Sequence, residues 1–378
     1  MRVKRIKTGM ILVVAMALCL VGCAPRWELP LTVDGQPQAT ILGSDVAQWA
    51  EQFPGEVDDD GALLLERVLW EYNVDCVDAL AVDGRTIPWS QGYDQCWLLP
   101  DGTLKLGDER LRPATLDVTS PPEMADVSAR VYDVAPSVAV ALGLEPPERA
   151  TGGVLADGRH AHVLYIFIDG LSLRRYRAVG QGDAMPYLSS LGEPRVALSV
   201  FPSVTKVSSA AMLTGAPPQD NGVRDRSTRK TDVETILDVI AASGRTSVSV
   251  EGDALSFNMP NTELVLSGDR DGNGSSDDNT FANAMRAIEQ GMPDFLWVHF
   301  HGVDDYGHTY GVGGPEEPKK MTEVDGYVRQ IGQALPPDTL VIIGSDHGMH
   351  NEPGGERAGN HGTLRPEDML IPLWVFVS

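Results

Sequence analysis

The stretch AHVLYIFIDG, residues 161–170, decides the fold of this chain. Its apolar residues form one unbroken run, which ends at Asp169 and a glycine. A strand that is apolar on both faces is typical of a parallel sheet with helices packed on both sides. The stretch TLVIIGSDHG, residues 339–348, has the same pattern and ends at Asp346 and His347. The two stretches predict buried strands that present polar groups at their carboxyl ends.

Strands and helices alternate from about residue 160 onward. Further predicted strands are RVALSVF (195–201), TSVSVEGD (246–253), DFLWVHFHGVD (294–304) and IPLWVFVS (371–378). The predicted helices between them are KVSSAAMLTG (206–215), VETILDVIAASG (233–244), TFANAMRAIEQG (280–291) and EVDGYVRQIGQAL (323–335). This alternation predicts an α/β fold with a mainly parallel sheet and helices on both faces. In such sheets the functional groups lie beyond the carboxyl ends of the strands.

The first part of the chain has a different pattern. Short apolar runs between turn signals, such as Asp101-Gly102, predict a small mixed region over residues 40–150 whose role the sequence does not define. Two proline-rich segments, TSPPEMAD and LEPPERATGG, place the boundary of the main domain near residue 150. The main domain is therefore expected to occupy residues 151–378.

The N-terminus has the pattern of an export signal. Basic side chains at positions 2, 4, 5 and 7 precede GMILVVAMALCLVG, an apolar segment that is too short for a permanent membrane span. The segment ends at Cys23 and resembles the lipobox of bacterial lipoproteins. This predicts a signal peptide over residues 1–22, lipid on Cys23 and a tether over residues 23–39, with the protein held at the bacterial cell envelope by its lipid anchor alone. The alternative is an ordinary secretion signal with a chance cysteine.

Cysteine usage and charge restrict the partners. Cys76 and Cys96 remain after export, and an even pair of cysteines in an oxidising compartment predicts one disulfide. The formal net charge of the chain is −23 at pH 7, which disfavours nucleic acids and anionic lipid surfaces as partners.

Acids and imidazoles follow several of the predicted strands. HGVDDYGH contains an Asp-x-x-x-His pair, and GNHGT adds a late histidine. Carboxylate and imidazole ligands without a thiolate suit Zn²⁺ or a similar transition ion. Two sites of three ligands each would suit in-line displacement at phosphorus. The candidate ligands are Asp169, Asp304, His308, Asp346, His347 and His361.

The chain from about residue 160 to 378 resembles the type I phosphodiesterase/nucleotide pyrophosphatase branch of the alkaline phosphatase superfamily. The nucleophile segment of that family, Pro-Ser/Thr-x-Thr before a short helix that ends Thr-Gly, is matched by PSVTKVSSAAMLTG, with Thr205 at the nucleophile position. VDDYGHTYG is similar to the family's Asp-x-x-Gly-His-x-x-Gly, SDHGM is its most distinctive signature, and GNHGT resembles its last metal-binding segment. The resemblance implies an alkaline phosphatase-like fold for the main domain.

The resemblance also implies the roles of these residues. One metal ion would be held by Asp304, His308 and His361. The other would be held by Asp169, Asp346 and His347, together with the oxygen of Thr205. Both ions are expected to be divalent, with Zn²⁺ ahead of Mn²⁺, and attack by Thr205 would give a phosphothreonine. Ser203 and Ser208 are rival nucleophiles, but only Thr205 occupies the motif position.

Two positions depart from the nucleotide-cleaving members of the family. Lys206 stands where those members place an aromatic residue, and Arg226 stands where they place an asparagine. If both cations face the site, they favour a more highly charged phosphoryl group: a monoester, or a diester with an anionic leaving portion. In the alternative, Lys206 points to solvent and Arg226 pairs with Asp225 or Asp220.

The segment GDRDGNGSSDDN resembles a calcium-binding loop. Its spacing matches the ligand positions of an EF-hand loop, but Thr280 replaces the last, bidentate glutamate. The alternative is a polar turn before the next helix. The predicted Ca²⁺ ligands are Asp269, Asp271, Asn273 and Asp277.

These features together predict an envelope-anchored, metal-dependent phosphoric ester hydrolase that acts on a small phosphorylated substrate. Phosphate monoester or phosphonate hydrolysis at the same site is one alternative. The other is a non-catalytic lipoprotein with a degenerate hydrolase fold.

Overall fold

The computed structural model describes residues 27–253 and 255–378. They form two compact units, of which the first ends at Ser120 and the second runs from Pro121 to Ser378. The predicted signal peptide over residues 1–22 and the predicted lipid site at Cys23 lie outside the described residues. Within the part of the chain that is described, no helix has both the length and the apolar character needed to cross a membrane.

The described part of the first unit contains two small sheets and three α-helices. The sheets have the strand orders β2-β1-β9-β4-β5 and β3-β6-β7-β8. Their strands are β1 (Glu28–Val33), β2 (Gln36–Leu42), β3 (Leu63–Leu64), β4 (Ala79–Val82), β5 (Arg85–Pro88), β6 (Cys96–Leu98), β7 (Leu104–Leu106), β8 (Glu109–Leu111) and β9 (Leu116–Thr119). The helices are α1 (Gly43–Gln52), α2 (Leu65–Glu71) and α3 (Trp89–Gly92). The turn predicted at Asp101-Gly102 joins β6 to β7.

Most of the predicted tether is a β-hairpin. β1 and β2 pair antiparallel, and β1 also pairs parallel with β9. The turn between them has Asp34 at φ 53° and Gly35 at φ 72°, the left-handed pair that a tight two-residue hairpin loop requires. The prediction of a tether over residues 23–39 is therefore wrong from Glu28 onward.

The predicted disulfide between Cys76 and Cys96 does not form in this structure. Cys96 lies on β6, and both thiols are buried in the core of the first unit. Burial raises the pKa of the Cys96 thiol to about 12, and the charges of Glu66 and Asp94 act in the same direction. The even number of cysteines was a poor guide, because each side chain packs as a small apolar group.

The second unit is built on an eight-stranded sheet with the order β10-β12-β19-β16-β11-β15-β13-β14. Its strands are β10 (Val127–Arg130), β11 (His162–Ile168), β12 (Arg195–Leu198), β13 (Ser247–Glu251), β14 (Glu263–Leu266), β15 (Phe295–Phe300), β16 (Thr339–Gly344) and β19 (Leu370–Val377). Between β16 and β19 the chain forms a separate two-stranded ribbon of β17 (His350–Asn351) and β18 (Gly359–Asn360). Only β19 runs antiparallel to its neighbours within this sheet. The predicted α/β class with a mainly parallel sheet is confirmed.

Helices cover both faces of this sheet. Leu164 and Ile166 of β11 belong to the core on one face, together with Val324 and Val328 of a long helix. On the other face, the Tyr165 hydroxyl donates to Met212 Sδ at 2.7 Å. The helices are α4 (Val134–Ala141), α5 (Leu173–Arg175), α6 (Pro186–Ser190), α7 (Thr205–Thr214), α8 (Pro218–Asn221), α9 (Ile236–Ala242), α10 (Asp277–Glu289), α11 (Gly302–Tyr310), α12 (Glu317–Ala334) and α13 (Pro366–Met369).

The boundary between the units lies earlier than the predicted one near residue 150. β10 pairs in parallel with β12 at the edge of the large sheet. Helix α4 is buried along most of its length. The segment from Pro121 to residue 150 therefore belongs to the second unit, because it completes that unit's sheet and core.

Candidate active site

The carboxyl ends of three neighbouring strands carry most of the candidate ligands. β11 lies between β15 and β16, with Ile168 opposite Phe300 and Ile166 opposite Ile343. Because the three strands are parallel, the segments that follow them emerge at the same edge of the sheet. These segments supply Asp169 after β11, Asp304 and His308 on α11 after β15, and Asp346 and His347 after β16.

The Asp169 group consists of Asp169, Asp346 and His347, all of them buried. His347 Nε2 lies 3.4 Å from Asp169 Oδ1 and 3.3 Å from Asp346 Oδ2. Thr205 Oγ1 lies 3.3 Å from the same nitrogen. The structure thus brings three predicted ligands of one ion together with the predicted nucleophile.

The Asp304 group consists of Asp304, His308 and His361. Asp304 Oδ2 lies 3.3 Å from His308 Nε2, and Asp304 Oδ1 lies 3.7 Å from His361 Nε2. The rings of His347 and His361 stack with their centroids 3.8 Å apart. The two groups are therefore adjacent, as a two-metal site requires.

Backbone carbonyls fix the orientation of the three imidazoles. A carbonyl only accepts hydrogen bonds, so each Nδ1 must donate its proton, and Nε2 is the nitrogen whose lone pair the neutral ring can offer to the site. These bonds join Nδ1 of His308 to Gly359 O at 2.8 Å, Nδ1 of His347 to Gly348 O at 2.9 Å, and Nδ1 of His361 to Ser203 O at 2.9 Å.

Divalent cations fit both groups. Asp169 Oδ1, Asp304 Oδ1 and Asp346 Oδ2 are buried and have no hydrogen-bond partner among the described residues. Buried acceptors that face imidazole lone pairs are costly unless a cation lies between them. The ligand atoms in each group lie within 4.8 Å of one another. The donor set of carboxylate and imidazole suits Zn²⁺, which stays a prediction.

Burial and charge shift the pKa values of these groups in different directions. Burial raises the pKa of Asp169 well above its usual value, and the charges of Asp346 and Asp304 raise it further. Burial also opposes ionisation of Asp304, but the hydrogen bond with His308 and the electrostatic influence of the His361 and His347 rings hold its pKa below its usual value. Burial and the charge of His347 lower the pKa of His361 well below its usual value. This shift favours the neutral imidazole of His361, which is the form that binds a metal ion.

Metal binding is expected to release protons, and the apparent metal affinity is expected to rise with pH. The pKa of Asp169 is raised in the folded, metal-free protein, so lowering the pH through that raised value protonates the folded form before the unfolded chain. This proton stabilises the metal-free protein at low pH, and a metal ligand must lose it. Calorimetric titration with Zn²⁺ in two buffers of different ionisation enthalpy counts the protons released. An affinity that stayed constant across the mildly acidic range would contradict this expectation.

Thr205 is the first residue of α7, with Val204 as its N-cap. The first amides of the helix that bond to the backbone are those of Val207 and Ser208, both to Val204 O. The amides of Thr205 and Lys206 precede them, and helix N-terminal amides are suited to receive a phosphoryl oxygen.

The rival nucleophiles are engaged elsewhere. Ser203 is fully buried and donates to Thr363 O at 2.9 Å. Ser208 is fully buried and lies 3.2 Å from the hydroxyl of Ser199. Of these three hydroxyls, only that of Thr205 adjoins the ligand atoms of the Asp169 group.

A cavity of about 250 Å³ opens onto the site, and cations line it. Its lining includes Thr205, Lys206, Arg226 and Arg357. Lys206 Nζ donates to Arg226 O, and Arg226 Nη2 donates to His361 O, each at 2.7 Å. Burial lowers the pKa of Lys206, and the charges of Arg229 and Arg226 lower it further. The structure thus places both predicted substrate-binding cations beside the candidate nucleophile.

Three of the predicted calcium ligands, Asp269, Asp271 and Asn273, are joined by hydrogen bonds in one turn, whereas Asp277 has other partners. Asp269 accepts from the amides of Gly272 and Gly274 at 2.8 and 3.0 Å, as in a polar turn. Asp277 is fully buried at the start of α10 and accepts from the amide of His301 at 3.0 Å. Its carboxylate therefore binds the backbone directly after β15. The polar turn at Asp269 and the start of α10 at Asp277 account for the spacing that resembles a calcium loop.

Sequence reasoning missed two residues behind the site, His299 and Glu251. His299 Nε2 lies 3.0 Å from Asp169 Oδ2, and His299 Nδ1 lies 2.8 Å from Glu251 Oε2. The available signal was a histidine and an acid inside apolar strands that become neighbours in the sheet.

Part of the second half of the chain matches the sequence model of a known protein family. The type I phosphodiesterase/nucleotide pyrophosphatase family model matches residues 246–373, about a third of the chain. This range does not reach back to Asp169 or Thr205. It contains Asp304, His308, Asp346, His347 and His361.

Curated relatives match over shorter stretches. Over 85 residues the chain is 37% identical to GPI ethanolamine phosphate transferase 3 of Eremothecium gossypii, which covers 22% of this chain and 8% of that protein. Over 100 residues it is 33% identical to the catalytic subunit of human GPI ethanolamine phosphate transferase 3, which covers 26% of this chain and 9% of that one. The matched part thus spans about a tenth of the length of these relatives.

Solved structures resemble the chain at low sequence identity. Phosphonoacetate hydrolase from Sinorhizobium meliloti 1021, in complex with phosphonoacetate, has a TM-score of 0.41 and 16% identity, over 50% of this chain and 57% of that one. Murine ectonucleotide pyrophosphatase/phosphodiesterase 5, in complex with AMP, has a TM-score of 0.41 and 15% identity over the same shares of the two chains.

Proposed function

We propose that this chain is a metal-dependent enzyme of phosphoryl transfer that hydrolyses phosphoric esters through a covalent phosphothreonine on Thr205. The observation that carries the proposal is the position of the Thr205 hydroxyl, 3.3 Å from His347 Nε2, in a group whose two buried carboxylates each have one oxygen without a hydrogen-bond partner among the described residues. The match of the phosphodiesterase/nucleotide pyrophosphatase model to residues 246–373 supports the same reaction class.

Each part of the site has a role in this reaction. Divalent ions in the Asp169 and Asp304 groups would lower the pKa of the threonine hydroxyl and stabilise negative charge on the leaving oxygen. Thr205 Oγ1 loses its proton to solvent and attacks the phosphorus, and the bond to the leaving oxygen breaks. That oxygen keeps the electron pair and takes a proton from water. The amides of Thr205 and Lys206 at the start of α7 receive a phosphoryl oxygen.

A second displacement completes the turnover. Water attacks the phosphothreonine, its proton goes to solvent, and the bond between phosphorus and Thr205 Oγ1 breaks, which restores the hydroxyl. The lowered pKa values of His361 and Asp304 favour the neutral imidazole and the ionised carboxylate, which are the forms that bind a cation.

Transfer to an alcohol is the second candidate reaction. The curated relatives named above are phosphoethanolamine transferases, and a phosphothreonine can be resolved by an alcohol as well as by water. The choice depends on which acceptor reaches the cavity. Hydrolysis is favoured here because the 250 Å³ cavity is lined mainly by polar and charged side chains.

One experiment tests both reactions. The protein is freed of metal, reconstituted with Zn²⁺ or Mn²⁺, and assayed against aryl phosphate monoesters, diesters and phosphonates, with and without ethanolamine as an acceptor. Metal-dependent hydrolysis is supported when phosphate is released from a monoester or phosphonate, or when an aryl alcohol and a phosphate monoester are released from a diester, and a phosphorylated acceptor supports transfer. A fully metal-loaded protein without turnover on any substrate would leave the non-catalytic alternative.

Lys206 and Arg226 are proposed to select substrates with additional negative charge. Replacement of Lys206 by methionine, which keeps the chain length, is expected to raise KM for a dianionic aryl monoester by roughly tenfold, since each charge-assisted bond contributes about 1.5–3 kcal/mol at most. KM for a diester with a neutral leaving group is expected to change little. The double variant with Arg226→Gln should enlarge the difference.

Initial rates on the two substrates provide the measurement. Lys230→Met is the matched control, because Lys230 lines a different cavity. A wild-type preference for diesters with neutral leaving groups would contradict the proposed selectivity.

Export and lipid anchoring through Cys23 also form part of the proposal. They rest on the basic flank, the apolar segment and the cysteine that ends it. Metabolic labelling of the full chain with a fatty acid in a bacterial host tests this. Loss of label in a Cys23→Ser variant is expected, and an unlabelled wild-type protein would contradict it.

A further inference from the structure

The Asp169 carboxylate is held from behind by a buried chain of hydrogen bonds. Asp169 Oδ2 lies 3.0 Å from His299 Nε2, and His299 Nδ1 lies 2.8 Å from Glu251 Oε2. Glu251 Oε1 accepts from Trp297 Nε1 at 2.8 Å. His299, Glu251 and Trp297 are all fully buried. The chain thus runs from the candidate metal site into the core of the sheet.

The strand register produces this alignment. β13 and β15 are parallel neighbours with Val250 opposite Val298, so Glu251 comes beside His299 at the same end of the sheet. β11 and β15 place Phe167 opposite His299, one strand further along. The three parallel strands therefore deliver an acid, an imidazole and a second acid in one row.

Packing leaves the His299 ring little freedom to turn. Phe167 stacks on one face of the ring and His301 on the other, each with centroids 3.6 Å apart. His301 itself lies farther from the two acids, 3.7 Å from Asp169 Oδ2 and 3.8 Å from Glu251 Oε2. His299 is thus the ring within hydrogen-bonding distance of both acids, and His301 packs against it.

The bond from His299 fixes which oxygen of Asp169 faces the site. With Oδ2 engaged, Oδ1 is directed toward His347 Nε2 at 3.4 Å and has no hydrogen-bond partner in the described part of the chain. A carboxylate without the rear bond can rotate about its side chain and present neither oxygen reliably. Partners of this kind behind a metal ligand typically affect metal affinity by 10–100-fold.

We propose that His299 and Glu251 are positioning residues that orient Asp169 toward the metal ion of the Asp169 group. The inference rests on the proposed two-metal function. A purely structural role is the competing explanation, since buried polar chains also occur as parts of a core. The two explanations differ in which metal site they affect: positioning acts on the Asp169 group alone, whereas a loosened core affects both groups.

The test measures the affinity of each metal site separately. Metal-free full chain is titrated with Zn²⁺ against a chromophoric chelator, and the two binding steps are assigned with His347→Gln and His361→Gln, which each disable one group. His299→Gln and Glu251→Gln are expected to weaken the Asp169 group by about 10–100-fold and to leave the Asp304 group within about twofold of wild type. Trp297→Phe removes only the outermost bond and should have a smaller effect in the same direction.

His162→Gln is the matched control, because His162 lies at the opposite end of β11 and bonds to Pro293 O. If folded Glu251→Gln and Trp297→Phe variants bind both ions as the wild type does, the positioning role is overturned. Equal weakening of both sites overturns it in favour of a structural role. A wild-type protein that binds no second ion overturns the two-metal function itself, which is a distinguishable result.

Discussion

Replacement of Thr205 by alanine is expected to reduce turnover of every phosphoric ester by roughly 10³-fold or more, because the variant lacks the hydroxyl proposed for the covalent step. The metal ions should remain bound. The Asp169 and Asp304 groups keep all their carboxylate and imidazole ligands, and the Thr205 oxygen is an additional contact 3.3 Å from His347 Nε2. Activity and metal content are therefore expected to separate in this variant.

Rapid acid quenching followed by mass spectrometry provides the direct measurement. Wild-type protein mixed with substrate should yield a phosphorylated peptide that contains Thr205, and Thr205→Ala should yield none. Thr205→Ser should keep measurable activity, since it retains the hydroxyl. Ser203→Ala and Ser208→Ala are the matched controls, and a phosphopeptide that persisted in Thr205→Ala but vanished in one of them would reassign the nucleophile.

The sheet and the principal ligands could be predicted because buried parallel strands have a simple pattern. Strands β11 and β16 are continuous apolar runs in the sequence and are fully or nearly fully buried in the structure. Each is followed directly by acids or imidazoles, and parallel strands place such residues at one edge. Asp169, Asp346 and His347 therefore lie together, although 176 positions separate Gly170 from its acceptor Asp346.

The residues behind the site could not be predicted in the same way. Glu251 and His299 stand 48 positions apart, and their pairing depends on the neighbourhood of β13 and β15 in the sheet. A sequence pattern gives the existence of strands but not their order. The polar side chains inside these strands became interpretable only when the order was known, because an acid in a fully buried strand requires a partner.

Three predictions rest on spacing, number or position along the chain and not on a pattern that determines a fold: the calcium loop, the disulfide and the tether. The calcium loop matched in its spacing, yet Asp277 begins α10 and bonds to the amide at His301. The cysteines matched in number, yet each packs in the apolar core. The tether was assigned from its position next to the export signal, although Asp34-Gly35 is itself a strong hairpin signal.

Asp346→Asn is expected to make the metal-free protein more stable and the metal-bound protein inactive. Burial and the charges of Asp346 and Asp304 raise the pKa of Asp169, so the metal-free site contains repelling carboxylates. An asparagine keeps the oxygen that accepts from Gly170 N at 3.3 Å. Its amide nitrogen can donate toward His347 Nε2, which lies 3.3 Å from Asp346 Oδ2 in the wild type. We expect a gain of about 1 kcal/mol without metal, as is common when a functional site loses its strain.

The order of stability should reverse when metal is added, because only the wild type can fill both groups. A ligand at a hundredfold excess over its Kd stabilises a protein by about 2.7 kcal/mol, and the variant loses this contribution from the Asp169 group. Urea unfolding of both proteins, with chelator and with Zn²⁺, gives the four free energies of unfolding. Asp346→Ala is the matched control: it also loses the metal but offers no donor to His347, so its metal-free form should not be stabilised. In this proposal the Asp346 carboxylate both destabilises the metal-free site and binds the ion that activates Thr205. A fully active Asp346→Asn or Asp346→Ala protein would therefore contradict the assignment of Asp346 as a ligand.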